Sequence, residues 1–97
     1  MLNKYESIYI VKPEVEEQGI KELIEKFNAL IETAGGKVSE VQEWGLRRLA
    51  YPIQKKGQGY YVLVNFEANP ESIVELERVY KITDSVMKFI TIRKDEE

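Results

Sequence analysis

Apolar positions along the chain follow two rhythms, one of period two and one of period three to four, and the changes of rhythm mark the elements. Tyr5 to Val11 (YESIYIV) is β-branched and aromatic and is closed by Lys12-Pro13, which predicts a first strand. From Val15 the spacing changes. Ile20, Leu23, Ile24, Phe27, Leu30, Ile31 and Ala34 recur every three or four residues until Gly35-Gly36, as in an amphipathic helix of about five turns. Val38 to Ala50 carries Val38, Val41, Trp44, Leu46 and Leu49 in a broken alternation, with Gly45 where a bulge would bend a long strand. Tyr51 to Gln58 holds Pro52 and Gly57 and reads as a loop, while Gly59 to Glu67 is the clearest strand, so the two strands make a long hairpin. Asn69-Pro70-Glu71 supplies an N-cap, a first-turn proline and a first-turn acid to a second helix, whose stripe is Ile73, Leu76, Val79 and Tyr80. After Thr83-Asp84-Ser85, VMKFITIRK predicts a final strand, and Asp95-Glu96-Glu97 is an acidic tail.

The order βαββαβ predicts an α+β, ferredoxin-like domain over residues 1–94, followed by the tail at 95–97. Right-handed crossovers then put both helices on one face of a four-stranded antiparallel sheet, with the first and third strands in the middle. The other face starts bare, and the phase of each strand says what lies on it. On the third strand Tyr60, Val62, Val64 and Phe66 form an unbroken apolar set, whereas Tyr61, Leu63, Asn65 and Glu67 turn polar. On the first strand Glu6 marks the open side, because a carboxylate resists burial. Tyr9, Tyr60 and Phe66 are therefore expected under the helices. Ile8, Ile10, Tyr61 and Leu63, joined by Ile90 and Ile92 if Lys88 points outward, are expected on the open face. An apolar patch of that extent is seldom left bare on a lone soluble protein, which predicts a protein partner over it; the ordinary alternative is cover from the long hairpin or the tail.

Chemistry enters mainly by exclusion. The chain has no Cys and no His, so thiolate nucleophiles, imidazole bases and the usual zinc sites are unavailable, and no phosphate-binding or nucleophile-elbow motif occurs. The reading is a binding protein with no catalytic, metal or cofactor residues and no small-molecule substrate. No apolar run approaches the roughly 18 residues of a membrane span, and the start lacks the apolar core of a signal peptide, so a cytoplasmic protein is expected. The net charge of −3 conceals a segregated pattern: residues 44–66 carry +4 with no acid, 80–94 carry +3, and 14–43 carry −5. One face can thus be basic while the whole is acidic.

KGQGYYVLVNF, Lys56 to Phe66, approaches the longer motif of an RRM domain, and IYIVKP its shorter one. That alternative needs Tyr9 and Tyr60 on the open face, stacking on bases, against the strand phase. A third reading is a homo-oligomeric ligand-binding module in which bare sheet faces pair.

WGLRRLAYPIQKKGQGYYVLVNF, and within it Gly45 to Ile53 (GLRRLAYPI), resembles the bacterial small-subunit ribosomal protein six family. The first strand entering KP, the two helices and the basic end of the last strand are similar to it too. The resemblance implies a non-catalytic, ferredoxin-like protein of the small ribosomal subunit that pairs with ribosomal protein eighteen and binds, with it, the central domain of small-subunit ribosomal RNA. It favours RNA phosphate contact by at least one of Arg47 and Arg48, which point to opposite sides of their strand, and makes Lys55 and Lys56, beside a glycine, further candidates. Lys88, Arg93 and Lys94 complete the candidate RNA-binding set. Trp44 and Tyr51 are expected to serve as hairpin packing.

Overall fold

The computed structural model describes residues 2–53 and 55–94, and the acidic tail lies outside them. Its elements follow the order read from the sequence: β1 (Asn3–Val11), α1 (Glu17–Thr33), β2 (Lys37–Ile53), β3 (Lys56–Ala68), α2 (Pro70–Ile82) and β4 (Val86–Arg93). The four strands form one antiparallel sheet in the order β2-β3-β1-β4. The chain has the predicted α+β, ferredoxin-like architecture.

Both helices bury their apolar stripes against the same sheet face. Ile20, Phe27 and Ile31 of α1 and Leu76, Val79 and Tyr80 of α2 join Tyr5, Tyr9, Val11, Val62, Val64 and Phe66 in one core. Its centre is aromatic: the Tyr9 ring stands edge-on to Phe27 at 4.9 Å and tilts against Tyr80 at 5.3 Å, and Tyr80 tilts against Phe89 at 5.0 Å. A hydroxyl cluster in the interior is satisfied internally, since Ser7 Oγ shares a 2.8 Å hydrogen bond with Tyr80 Oη and a 3.1 Å bond with Thr91 Oγ1. Asn69 occupies the N-cap of α2 with Pro70 behind it, but its side chain makes no capping bond; Asn69 O instead accepts from Ser72 N–H.

Two expectations need correction. Tyr51 to Gln58 is mostly strand: β2 runs to Ile53 and β3 begins at Lys56. Pro52 is tolerated because β2 is an edge strand, and residues 49–52 lie in a register shift between Arg48 and Ile53, outside the β2–β3 ladder. Tyr60 faces the helices as expected but is only half-buried, its hydroxyl donating to Glu43 Oε1 at 2.8 Å. Burial and the Glu43 carboxylate both push that phenol above its ordinary range. The bend expected at Gly45 is present: its φ is +85°, and the β2–β3 register slips between Glu43 and Gly45.

Candidate nucleic-acid and protein interfaces

The open face is where the sheet phase placed it. Ile8 lies between Leu63 of β3 and Ile90 of β4, and Ile10 lies between Tyr61 and Lys88. Ile90 and Ile92 are exposed, at 57% and 48%, and Ile8 and Tyr61 are half-buried. Ile10 and Leu63 are only 7% and 5% exposed. The reason at Ile10 is the hairpin, which curls over this end of the face and forms a second small core of Leu49, Ile10 and Met87, with Ile53 and Tyr61 against it. A side chain on Gly59 would collide with Ile10, so the close approach depends on glycine there. Part of the patch is thus covered from within the chain. What stays open is a hollow of about 230 Å³ lined by Ile8, Ile10, Tyr61, Lys88, Phe89 and Ile90.

Trp44 and Tyr51 build the rest of the cover. The Trp44 ring lies nearly parallel to Tyr61, with centroids 6.1 Å apart and 11° between planes, and Arg47 rests its guanidinium 5.4 Å above the indole. The Lys88 ammonium donates to Tyr51 Oη at 2.7 Å and lies 5.3 Å from that ring, a contact that raises the lysine's pKa. Trp44 thus packs within the hairpin, as the sequence suggested, whereas Tyr51 is 58% exposed and touches Lys88 of β4 instead. Leu49 and Ile53 are the contributors that pattern reading missed, because a hydrophobic pattern reports which face a residue takes and not how a strand end arches.

The basic residues divide into two groups. Arg47 pairs with Gly59 on the open side and Arg48 with Gln58 on the other; both are exposed, and Lys55 is exposed at the turn with φ +66°. Lys56 is partly engaged, its ammonium 3.0 Å from Glu14, which holds that carboxyl below its ordinary value. Lys88 reaches the same end of the sheet through Tyr51. Arg93 and Lys94 sit at the opposite end, where Arg93 Nη2 donates to Asn3 Oδ1 at 3.3 Å and the Lys94 ammonium is 3.9 Å from Glu6. Four residues of strand lie between Lys88 and Arg93, which puts them roughly 17 Å apart. The candidate cations therefore make a hairpin cluster and a distant pair, not one patch.

Other chemistries find little here. Tyr9 is 1% exposed beneath α1 and α2, so the aromatic pair that an RRM surface requires is not on the open face. Among the described residues no three His, Cys, Asp or Glu side chains gather as metal ligands, and no helix is long and apolar enough to cross a membrane.

Comparison with known proteins converges on one family. The family model described as "Ribosomal protein S6" matches residues 4–93. The chain is 50% identical to small ribosomal subunit protein bS6 of Caldanaerobacter subterraneus and 50% identical to that of Clostridium novyi, in each case over 98% of this chain and the whole of the relative. Among solved structures it superposes on the crystal structure of 30S ribosomal protein S6 from Thermotoga maritima with a TM-score of 0.91 and 32% identity, covering 97% of this chain and 89% of that one. The chain accordingly belongs to the ribosomal protein S6 family and is a protein of the small subunit of the cytoplasmic ribosome, in a family that is structural and not enzymatic.

Proposed function

We propose that the chain binds the central domain of small-subunit ribosomal RNA together with ribosomal protein eighteen, holding RNA with its hairpin and the protein with its open sheet face. The observation that carries the RNA half is the acid-free +4 stretch of residues 44–66 arranged along one hairpin, with Arg47, Arg48 and Lys55 exposed. Phosphate contact needs cations that water still reaches and that no carboxylate already neutralises. Arg47 also lies over the Trp44 ring, a cation–π contact that leaves its N–H groups able to donate.

The protein half rests on the uncovered remainder of the apolar face. Ile8, Tyr61 and Ile90 border a hollow that the hairpin does not fill, Ile92 is exposed on the same face, and the acidic total of the chain leaves room for a more basic companion. Ile90 is the cleaner place to test it than Leu63, whose burial makes a charged replacement a folding defect as well. Ile90→Asp should change stability by less than about 1 kcal/mol and weaken binding to ribosomal protein eighteen at least tenfold, read by titration calorimetry with a thermal melt as control. Unchanged affinity in a folded variant would remove the open face from the interface. Failure of the unmodified protein to bind ribosomal protein eighteen would remove the partner.

A further inference from the structure

Trp44 and Tyr51 are the exposed aromatic rings of the hairpin, and they differ in what already touches them. Trp44 is engaged by Tyr61, nearly parallel to it, and by the Arg47 guanidinium. Tyr51 joins no ring pair among the described residues. It is held instead at its hydroxyl, 2.7 Å from the Lys88 ammonium, which lies 5.3 Å from the ring centre. The difference between those distances is nearly the whole span from a phenol's ring centre to its oxygen. The ammonium therefore sits close to the long axis of the ring, beyond the hydroxyl, and covers neither face. The chain holds the other end. Leu49 and Ile53, two residues to either side, turn into the small core with Ile10 and Met87, and Pro52 restricts the Tyr51 backbone to extended conformations. Between two anchored neighbours, the largest side chain of the three stays in water.

The surroundings of this ring are cationic. Lys88 lies at its hydroxyl, exposed Arg48 and Lys55 are on the same hairpin, and residues 44–66 hold no acid. Among the described residues no carboxylate pairs with Lys88, so its charge is available to a ligand. From this we infer that Tyr51 is a stacking platform for an unpaired nucleotide of the bound RNA, whose base lies on the ring while a neighbouring phosphate meets Lys88. A phenol face accepts any base, but only one that has left its own duplex stack. The inference rests on the hairpin being the RNA surface and specifies the RNA it holds there: a loop, bulge or single strand, not continuous duplex. Charge decides for a nucleotide over a protein side chain, because a ring set among unneutralised cations suits a polyanion. The apolar hollow offered to the protein partner is bordered by Ile8, Tyr61 and Ile90, and Tyr51 is not part of its lining.

The test compares two RNAs, central-domain RNA and a fully paired duplex of similar length, each titrated with the protein in complex with ribosomal protein eighteen. Tyr51→Leu should weaken binding to central-domain RNA about tenfold and leave duplex affinity unchanged. The slope of log affinity against log salt should also stay as it was, since a lost stack releases no counterions. Tyr51→Phe, which keeps both ring faces, should remain within about threefold of the unmodified protein, with a thermal melt confirming that each variant folds. Equal weakening on both RNAs, or a flattened salt slope, would mean that Tyr51 only shapes the hairpin, and would overturn the platform. Weaker binding of ribosomal protein eighteen in the absence of RNA would assign the ring to the protein interface and overturn it too. Unchanged binding of Tyr51→Leu to central-domain RNA would overturn it while keeping the hairpin as the RNA surface. Failure of the unmodified complex to bind central-domain RNA would defeat the functional reading, and this inference with it.

Discussion

Gly59 shows how a single residue sets the shape of the open sheet face. Because any β-carbon there would strike Ile10, the hairpin can close over the sheet only with glycine at this position, whereas Gly57 has open space around the equivalent point. Gly59→Ala should destabilise the fold by about 1–3 kcal/mol, the usual cost of overpacking, and Gly57→Ala should cost far less. Urea denaturation of the two variants gives the comparison, and equal effects would mean that the close approach at Gly59 is not made. Gly45 could be recognised in the sequence as a bend because glycine interrupts an otherwise strand-like run. Gly59 could not, since its constraint comes from a residue on another strand.

At the level of the element, the hairpin was the least legible part of the fold. Period and end signals located both helices and the central strands, because those depend on residues near in sequence. Pro52 and Gly57 argued for a loop, yet an edge strand accepts a proline and the chain stays extended to Ile53. The arch that drops Leu49 onto Ile10 and Met87 depends on contacts nearly forty residues apart in sequence, as the pairing of Leu49 with Ile10 and Met87 shows. The same gap limits the site: strand phase puts Ile8, Ile10, Tyr61 and Leu63 on the open face, where they lie, but it carries no sign of the hairpin's cover over Ile10. Leu49→Ala should cost about 2 kcal/mol and speed exchange of amides across the hairpin end, as a buried anchor would, whereas a residue in a solvated loop would be silent.

For the molecule as a whole, burial and charge act in separate places. Tyr9 and Tyr80 are each 1% exposed, and burial is the main reason their phenols are pushed well above the ordinary value of 10.0. Below that value both tyrosines are protonated folded or unfolded and the stability is intact. As pH rises past 10.0 the unfolded chain loses these protons first, so stability should fall by about 1.4 kcal/mol per pH unit for each tyrosine. Denaturant titrations at increasing alkaline pH should show this, and a flat profile would mean that the phenols are reached by water. Positive charge without acid, by contrast, concentrates on residues 44–66 of the hairpin, which in the proposed function hold RNA. The direct test is the salt dependence of binding to central-domain RNA by the protein in complex with ribosomal protein eighteen. Replacing Arg47, Arg48 and Lys55 together with Gln should flatten the slope of log affinity against log salt by at least about one unit, at roughly 0.7 to 0.9 per lost phosphate contact, while Lys56→Gln, already paired with Glu14, should change it less. An unchanged slope in the triple variant would leave the hairpin charges without a part in RNA binding.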